Sequence, residues 1–160
     1  MLRAATSADF PFVRALVSRP ENAPFLTDEN DAALAAYIAD PTARLLIWGT
    51  DDPRGFALFR DIGDPSGTVY LMRLALVTPG QGEGAVFLHA LIDHAFVALQ
   101  AKRLWLDATG ENLRAQRVYV RAGFTPEGRL RRHEYRPAIG RVVDVVLYGM
   151  MRDEWAALPR

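Results

Sequence analysis

Apolar residues recur along the chain in two rhythms, and the changes between them outline an order of elements. A short β-like opening, LRAAT, precedes a segment whose Phe10, Val13, Leu16 and Val17 fall at helical spacing. Thr6 or Ser7 is placed to cap that helix, and Pro11 lies in its first turn, where a missing N–H costs little. TDENDAALAAYIAD predicts a second helix, capped by Thr27 or Asp28 and ended before Pro41. ARLLIWGT, RGFALFRDI and GTVYLMRLALV follow, each rich in β-branched or aromatic residues and parted by the turn sequences DDPRG and GDPSG. They predict a three-strand antiparallel meander. Helical spacing returns at Val86, Phe87, Leu88, Leu91, Ile92, Ala95, Phe96 and Leu99. KRLWLDAT then predicts a strand and ENLRAQRVYVRAG a helix closed by Gly123. FTPEGRLRRHEY and GRVVDVVLYGMMR predict two last strands, joined through RPAIG.

The predicted order is therefore β-α-α-β-β-β-α-β-α-β-β. A single strand–helix–strand crossover sits between a meander and a final hairpin. The expected fold class is α/β of the α+β kind: a mixed, mostly antiparallel sheet with helices on both faces, not a doubly wound parallel one. With 160 residues and no internal repeat, the chain reads as one domain, 1–160.

Charge and cysteine usage remove several function classes. Lys+Arg and Asp+Glu are equal at 19 each, which argues against sequence-independent nucleic-acid binding. The absence of cysteine removes disulfides, thiolate metal sites and a Cys nucleophile, and fits a reducing cytoplasm. No apolar run approaches the roughly 20 residues of a membrane span, and MLRAATSADF lacks the apolar core of a signal peptide. The expectation is a soluble, cytoplasmic chain with no membrane or nucleic-acid partner.

Chemistry concentrates at RLALVTPGQGEGAVFLHALIDHAF, where Gly80, Gly82 and Gly84 alternate just before a helix. A helix starting after a glycine turn offers unpaired N–H groups and a positive dipole end, and glycines let phosphates approach without a Cβ in the way. A triphosphate loop would need Gly-Lys-Ser/Thr, whereas Gly84 is followed by Ala85 and Val86. Gly80-x-Gly82-x-x-Ala85 satisfies a permissive dinucleotide pattern, with Asp107 placed for a ribose hydroxyl. Against a dinucleotide, the loop lies mid-chain and no second βαβ unit follows. A plain tight turn and coenzyme A stand beside it.

From Tyr70 to Phe124 the chain closely resembles the GNAT-type N-acetyltransferases, in the branch that contains the ribosomal-protein N-terminal acetyltransferases. LMRLALVTPGQGEGAVFLHALIDHAF is similar to the family's acetyl-CoA motif. RLWLDATGENLRAQRVYVRAGFTPEGRLR is similar to its second block, with Asp107, Asn112, Ala115, Tyr119, Gly123, Phe124, Glu127 and Gly128 in register. One position departs: Pro79 stands where the family often has Arg or Gln, which puts one phosphate contact in doubt or passes it to Gln81. The resemblance implies an acetyl-CoA-dependent acyltransferase fold with acetyl-CoA as donor cosubstrate and no metal. The acceptor is a primary amine: an amino acid, a peptide N-terminus, a polyamine or an amine-containing small molecule.

An amine attacks an acyl group only when unprotonated, and the leaving sulfur then needs a proton. No cysteine is present, and Ser7, Ser18 and Ser66 lie away from the motifs, so direct attack in a ternary complex is expected over an acyl-enzyme. The resemblance makes Tyr119 the candidate acid, although RVYVRAGF would bury a tyrosine in any case. It makes Asp107 the candidate base, with Glu134 and Asp144 as rivals. For the coenzyme it points to the main chain of Leu74, Leu76 and Val77 and to the loop Gly80, Gln81, Gly82, Gly84 and Ala85. In the resemblance Asn112 matches an asparagine that bonds the pantetheine arm or nearby backbone, and it is equally a good helix N-cap. Arg117, with Arg114 and Arg121 beside it, is a candidate for the phosphates. A bulge or wedge is expected near Leu76.

His89 and Asp93 have i,i+4 spacing but no third metal ligand, and read as a surface pair. The amine is expected between the loop Glu21–Phe25 and the hairpin turn Glu134–Arg141. VVDVVLYGMM is apolar enough to pair across a homodimer or to lie inside the sheet. A non-catalytic acyl-CoA-binding sensor of the same fold would need the glycine loop without the acid.

Overall fold

A computed structural model describes all 160 residues. Strand β1 (Leu2–Ala4) leads through a short 3₁₀ turn into helix α1 (Phe10–Val17), and α2 (Asp31–Ala39) follows a long loop. Strands β2 (Arg44–Trp48), β3 (Gly55–Arg60) and β4 (Thr68–Leu76) form the meander. Helix α3 (Glu83–Asp93), β5 (Arg103–Thr109), α4 (Leu113–Arg121), β6 (Thr125–Arg136), β7 (Arg141–Met151) and a short α5 (Arg152–Ala156) complete the chain. The seven strands form one sheet, ordered β1-β2-β3-β4-β5-β7-β6. Only β4 and β5 run parallel, so the sheet is the mixed, mostly antiparallel one that the apolar rhythms predict.

Alternation along the strands divides the core into two layers. Leu45, Ile47, Phe56 and Leu58 face Phe10, Val13, Leu16 and Val17 of α1 and Leu34 of α2. Leu46, Ala57 and Phe59 face the other way, against Phe87, Leu88, Leu91 and Ile92 of α3 and Tyr119 and Ala122 of α4. A strand covered on both faces must be apolar at every position, which is why β3 reads as a continuous run. No helix is long and apolar enough to cross a membrane.

Four local features differ from expectation. Helix α2 is capped by Asn30, whose side chain accepts from the Ala33 N–H at 2.9 Å. Thr27 and Asp28 have other partners: Thr27 Oγ1 accepts from Arg136, and Asp28 pairs with Arg14. Helix α3 runs on through a wider turn at His94–Ala98, and α5 lies beyond the elements the pattern predicts. The bulge of β4 sits at Met72, skipped between the pairs Phe59–Leu71 and Leu58–Arg73, rather than at Leu76. Strand β7 is interior, hydrogen-bonded to β5 on one side and β6 on the other, so its apolar run is core and not a free dimer edge.

β4 and β5 pair only over Thr68–Tyr70 and Arg103–Trp105. Beyond that point β4 stays with β3 to Leu76 while β5 stays with β7 to Thr109, so the sheet opens into a wedge.

Candidate active site

The wedge opens into a cleft of about 840 Å³. Its walls are the outer half of β4, the glycine loop and α3, the end of β5, α4, the loop between α1 and α2, and the Glu134–Arg136 end of β6. Strand residues alternate the side to which they present their N–H and C=O. The Val77 N–H donates to the Arg54 carbonyl at 2.8 Å, toward β3. By alternation Leu74 and Leu76 turn their main-chain groups away from β3, into the wedge. Val77 is fully committed, because its carbonyl also accepts from Arg19 Nη1 at 2.7 Å. The main-chain groups on offer are those of Leu74 and Leu76.

The glycine loop has the conformation that its composition demands. Gly80 and Gly82 have φ of +99° and +82°, the left-handed region where a Cβ is strained. Gly82 caps α3 with no side chain, so the first N–H groups of the helix have no capping partner. The Glu83 carboxylate is drawn aside, accepting from Trp48 Nε1 at 3.0 Å and Arg54 Nη2 at 2.6 Å. A Cβ at Gly82 would meet nothing within 4 Å, and one at Gly84 only Leu76 Cδ1 at 3.8 Å. Gly80, Gly82, Gly84 and Ala85 line the cleft. Gln81 is exposed and lies outside the lining.

Helix α4 forms the opposite wall. Asn112 is its N-cap, accepting from the Ala115 N–H at 3.2 Å, and also lines the cleft. Arg114, Arg117 and Arg121 all reach the cleft. Arg114 comes nearest the glycine loop, its Nη2 lying 3.4 Å from where a Gly80 Cβ would be. An open wedge with free main-chain groups, uncapped helix amides and facing arginines fits an extended, amide-bearing molecule ending in phosphates, as acetyl-CoA is.

At the apex of the wedge Asp107 accepts from the Tyr70 hydroxyl at 3.0 Å. Tyr70 stacks on Trp105 with ring centroids 3.9 Å apart, which fixes the hydroxyl. Burial raises the Asp107 pKa above the usual carboxylate value and the Glu134 charge adds to this, while the Tyr70 bond opposes it. Tyr119 is buried beside Phe124 and Tyr148, edge to face, and faces the same cleft. Burial, then the Asp107 charge, pushes its pKa up, so the phenol keeps its proton at neutral pH.

Of the rival carboxylates, Asp144 is occupied by the Arg132 N–H at 2.8 Å and Arg129 Nε at 2.7 Å, which hold its pKa down. Glu134 lines the cleft 3.6 Å from Arg136. His89 lines the cleft, whereas Asp93 accepts from Trp155 Nε1 at 2.7 Å, so the two do not form a pair.

Three site residues escape sequence reasoning. Tyr70 gains its role only through the β4–β5 register. Arg73 carried a fainter signal as a charge inside a predicted strand, whereas Arg136 opens the predicted connector RPAIG and carried none. Arg73 is paired with Glu29 at 2.9 Å. Arg136 is 3% exposed and donates to the carbonyls of Pro24 at 3.0 Å and Ala23 at 3.3 Å and to Thr27 Oγ1 at 3.0 Å. It joins the α1–α2 loop to the final hairpin, the two segments between which the amine is expected. Tyr70→Phe removes the bond that holds Asp107 down. The rising limb of the kcat/KM–pH profile is therefore expected to move to higher pH, with an unmoved limb excluding Asp107 as the titrating base.

Residues 1–125 match the family described as Acetyltransferase (GNAT) domain. The chain belongs to the GNAT acetyltransferase family. It is 31% identical to an uncharacterized N-acetyltransferase of Mycobacterium tuberculosis over 79% of this chain and 83% of that protein, and equally to a counterpart in Mycobacterium bovis. Among solved structures it is similar to spermidine N-acetyltransferase from Vibrio cholerae in complex with CoA and spermine. That likeness has a TM-score of 0.85 at 19% identity, over 98% of this chain and 97% of that one. A dodecameric form of the Vibrio enzyme gives a TM-score of 0.81 at 19% identity, covering 98% and 96%. These structures share the acyl-CoA N-acyltransferase fold. The GNAT domain is an acetyl-CoA-dependent N-acetyltransferase, with acetyl-CoA as its donor.

Proposed function

We propose that the chain, acting as one domain, acetylates a primary amine by direct attack, with Asp107 as base and Tyr119 as acid. The observation that carries this is the wedge, which brings the glycine loop, Asp107 and Tyr119 to one cleft. Bound acetyl-CoA supplies an activated acetyl group. Leu74 and Leu76 offer main-chain bonds to its amide-bearing arm, and the amides at Gly82, Gly84 and Ala85, opened by Gly80, hold its diphosphate. Arg117 and Arg114 add positive charge, which covers the side chain lacking at Pro79. Asn112 stiffens the start of α4 and so sets the height of Tyr119.

Asp107 accepts a proton from the amine nitrogen, and Tyr70 orients the carboxylate that does so. Tyr119 gives its proton to the departing sulfur. A raised carboxylate pKa makes a better proton acceptor, and a phenol that stays protonated is ready to donate. Placement in the ribosomal-protein N-terminal branch rests on the two sequence blocks, the second the more specific, whereas the solved structures of similar fold act on spermidine. A dodecameric form is known for the Vibrio enzyme, and strand-to-strand self-association of this chain would use a sheet edge, β1 or β6, since β7 is interior.

A screen of amines reporting free coenzyme A tests the reading. In it Tyr119→Phe is expected to lower kcat by about 100-fold, within the range for a lost general acid. Acetyl-CoA affinity, read by calorimetry, should stay unchanged. Unaltered turnover would remove Tyr119 from the mechanism, and absence of turnover in the parent would favour a coenzyme sensor.

A further inference from the structure

We infer that the amine end of this cleft takes a cationic amine bearing no carboxylate beside the reacting nitrogen. The inference rests on the acetyl transfer proposed above and names its substrate class.

Two arginines stand at the amine end, and both are spent. Arg73 Nη2 donates to Glu29 Oε1 at 3.2 Å and its Nη1 lies 2.9 Å from Oε2 in an ion pair, and the arginine side chain is 12% exposed. Glu29 is held from behind by the Tyr37 hydroxyl at 3.1 Å. The Arg136 fork is divided among two loop carbonyls and Thr27, with Glu134 at 3.6 Å. Turning Arg73 toward a substrate would leave the Glu29 charge uncompensated, and turning Arg136 would leave two loop carbonyls and Thr27 without their donor. Glu111, another lining carboxylate, is paired with Arg141 at 2.7 Å.

The groups left over are sorted by position. Arg114, Arg117 and Arg121, unpaired, belong to α4, with Arg114 beside the glycine loop; His89 lies on α3. Asp107 stands at the wedge apex, where the Glu134 charge reaches it, and exposed Glu21 lies on the loop that Arg136 anchors. A substrate carboxylate brought to Asp107 would thus meet carboxylates and no free cation in the cleft lining, since His133, whose charge also reaches Asp107, is exposed and lies outside that lining. An ammonium meets the opposite: Asp107 and Glu134 attract it, and the arginines stay with the anionic donor. The cleft has a basic end and an acidic end.

Glu29 provides a handle on this selection, because it alone cancels Arg73. Removing its charge frees a cation that already lines the cleft. The test compares an amino acid, its carboxamide and the corresponding alkylamine, by free coenzyme A release and by calorimetry into the protein–CoA complex. The carboxamide and alkylamine are expected to exceed the amino acid in kcat/KM by about 100-fold, the scale of an unpaired desolvated charge. Glu29→Gln is expected to narrow that ratio by about 10-fold through better use of the amino acid, with acetyl-CoA affinity unchanged. An amino acid used as well as its carboxamide overturns the inference and leaves acetyl transfer standing. So does a Glu29→Gln protein that binds acetyl-CoA and keeps the parent ratio. If acetyl-CoA binds and no amine is acetylated, acetyl transfer fails; calorimetry then decides selection alone, by whether the amino acid binds more weakly than its carboxamide.

Discussion

Gly84→Trp is expected to abolish acetyl-CoA binding while leaving the fold intact. Gly84 is the second residue of α3, and its backbone, unlike that of Gly80 and Gly82, does not require a positive φ. A Cβ there meets only Leu76 Cδ1 at 3.8 Å, so the indole has one direction to take, into the cleft that Gly84 lines. It would stand over the uncapped amides that the diphosphate is proposed to occupy. Losing several charge-assisted bonds together is worth at least about 3 kcal/mol, or roughly 100-fold in affinity. The melting temperature should hardly change, since no buried contact is lost and a helix position exchanges glycine for a residue of higher propensity. Gly82→Ala makes the control: its Cβ meets nothing within 4 Å but its φ is +82°, so stability falls by about 1 kcal/mol and the cleft stays open. Calorimetry with acetyl-CoA on both variants separates a phosphate cradle from a plain turn. Undiminished affinity in Gly84→Trp would mean a plain turn.

What the chain reveals in one dimension depends on how local the cause is. Element order follows from spacing within each segment, and Phe10, Val13, Leu16 and Val17 are buried as their period requires. The cap of α2 is misplaced because the loop is organised from far away: Thr27 is held by Arg136 and Asp28 by Arg14. Asn30, left without such a partner, takes the cap. Strand β7 shows a second limit. An apolar run states that both faces are covered but not by what, so an interior strand and a dimer edge look alike until β5 and β6 are seen on its two sides.

The site divides in the same way. The glycines, Asp107, Asn112 and Tyr119, which the fold brings to one cleft, are legible because the roles proposed for them need only local backbone or a single side chain. Val77 and Gln81 are not. Alternation commits Val77 to β3 and to Arg19, and the turn points Gln81 to solvent. Tyr70 is the clearest case. Within TVYLMRLAL it is one aromatic among β-formers, and only the pairing of Tyr70 with Trp105 sets it two residues from Asp107 on the neighbouring strand.

The second large effect is expected from Asp107→Asn, which should lower kcat by about 1000-fold, within the range for a removed general base, and at the same time raise stability at neutral pH. The two outcomes share one cause. Burial makes the ionised Asp107 costly and lifts its folded pKa above the ordinary value, and Glu134 lifts it further. In the window between the unfolded and folded pKa the native state holds more protons than the unfolded chain, so stability is greatest below that window and is lost as pH rises through the folded pKa. Above the folded pKa the parent protein carries the whole penalty, and the asparagine variant carries none. Asparagine also keeps an oxygen for the Tyr70 hydroxyl, so the stacked Tyr70–Trp105 pair should stay in place. Melting curves of both proteins should therefore differ at pH 7 in favour of the variant and converge as pH falls below the ordinary aspartate range. Melting temperatures that stay equal at every pH would show that Asp107 is not strained by burial. Turnover surviving the substitution would transfer the base to Glu134, the carboxylate left facing the cleft beside Tyr70 and Asp107.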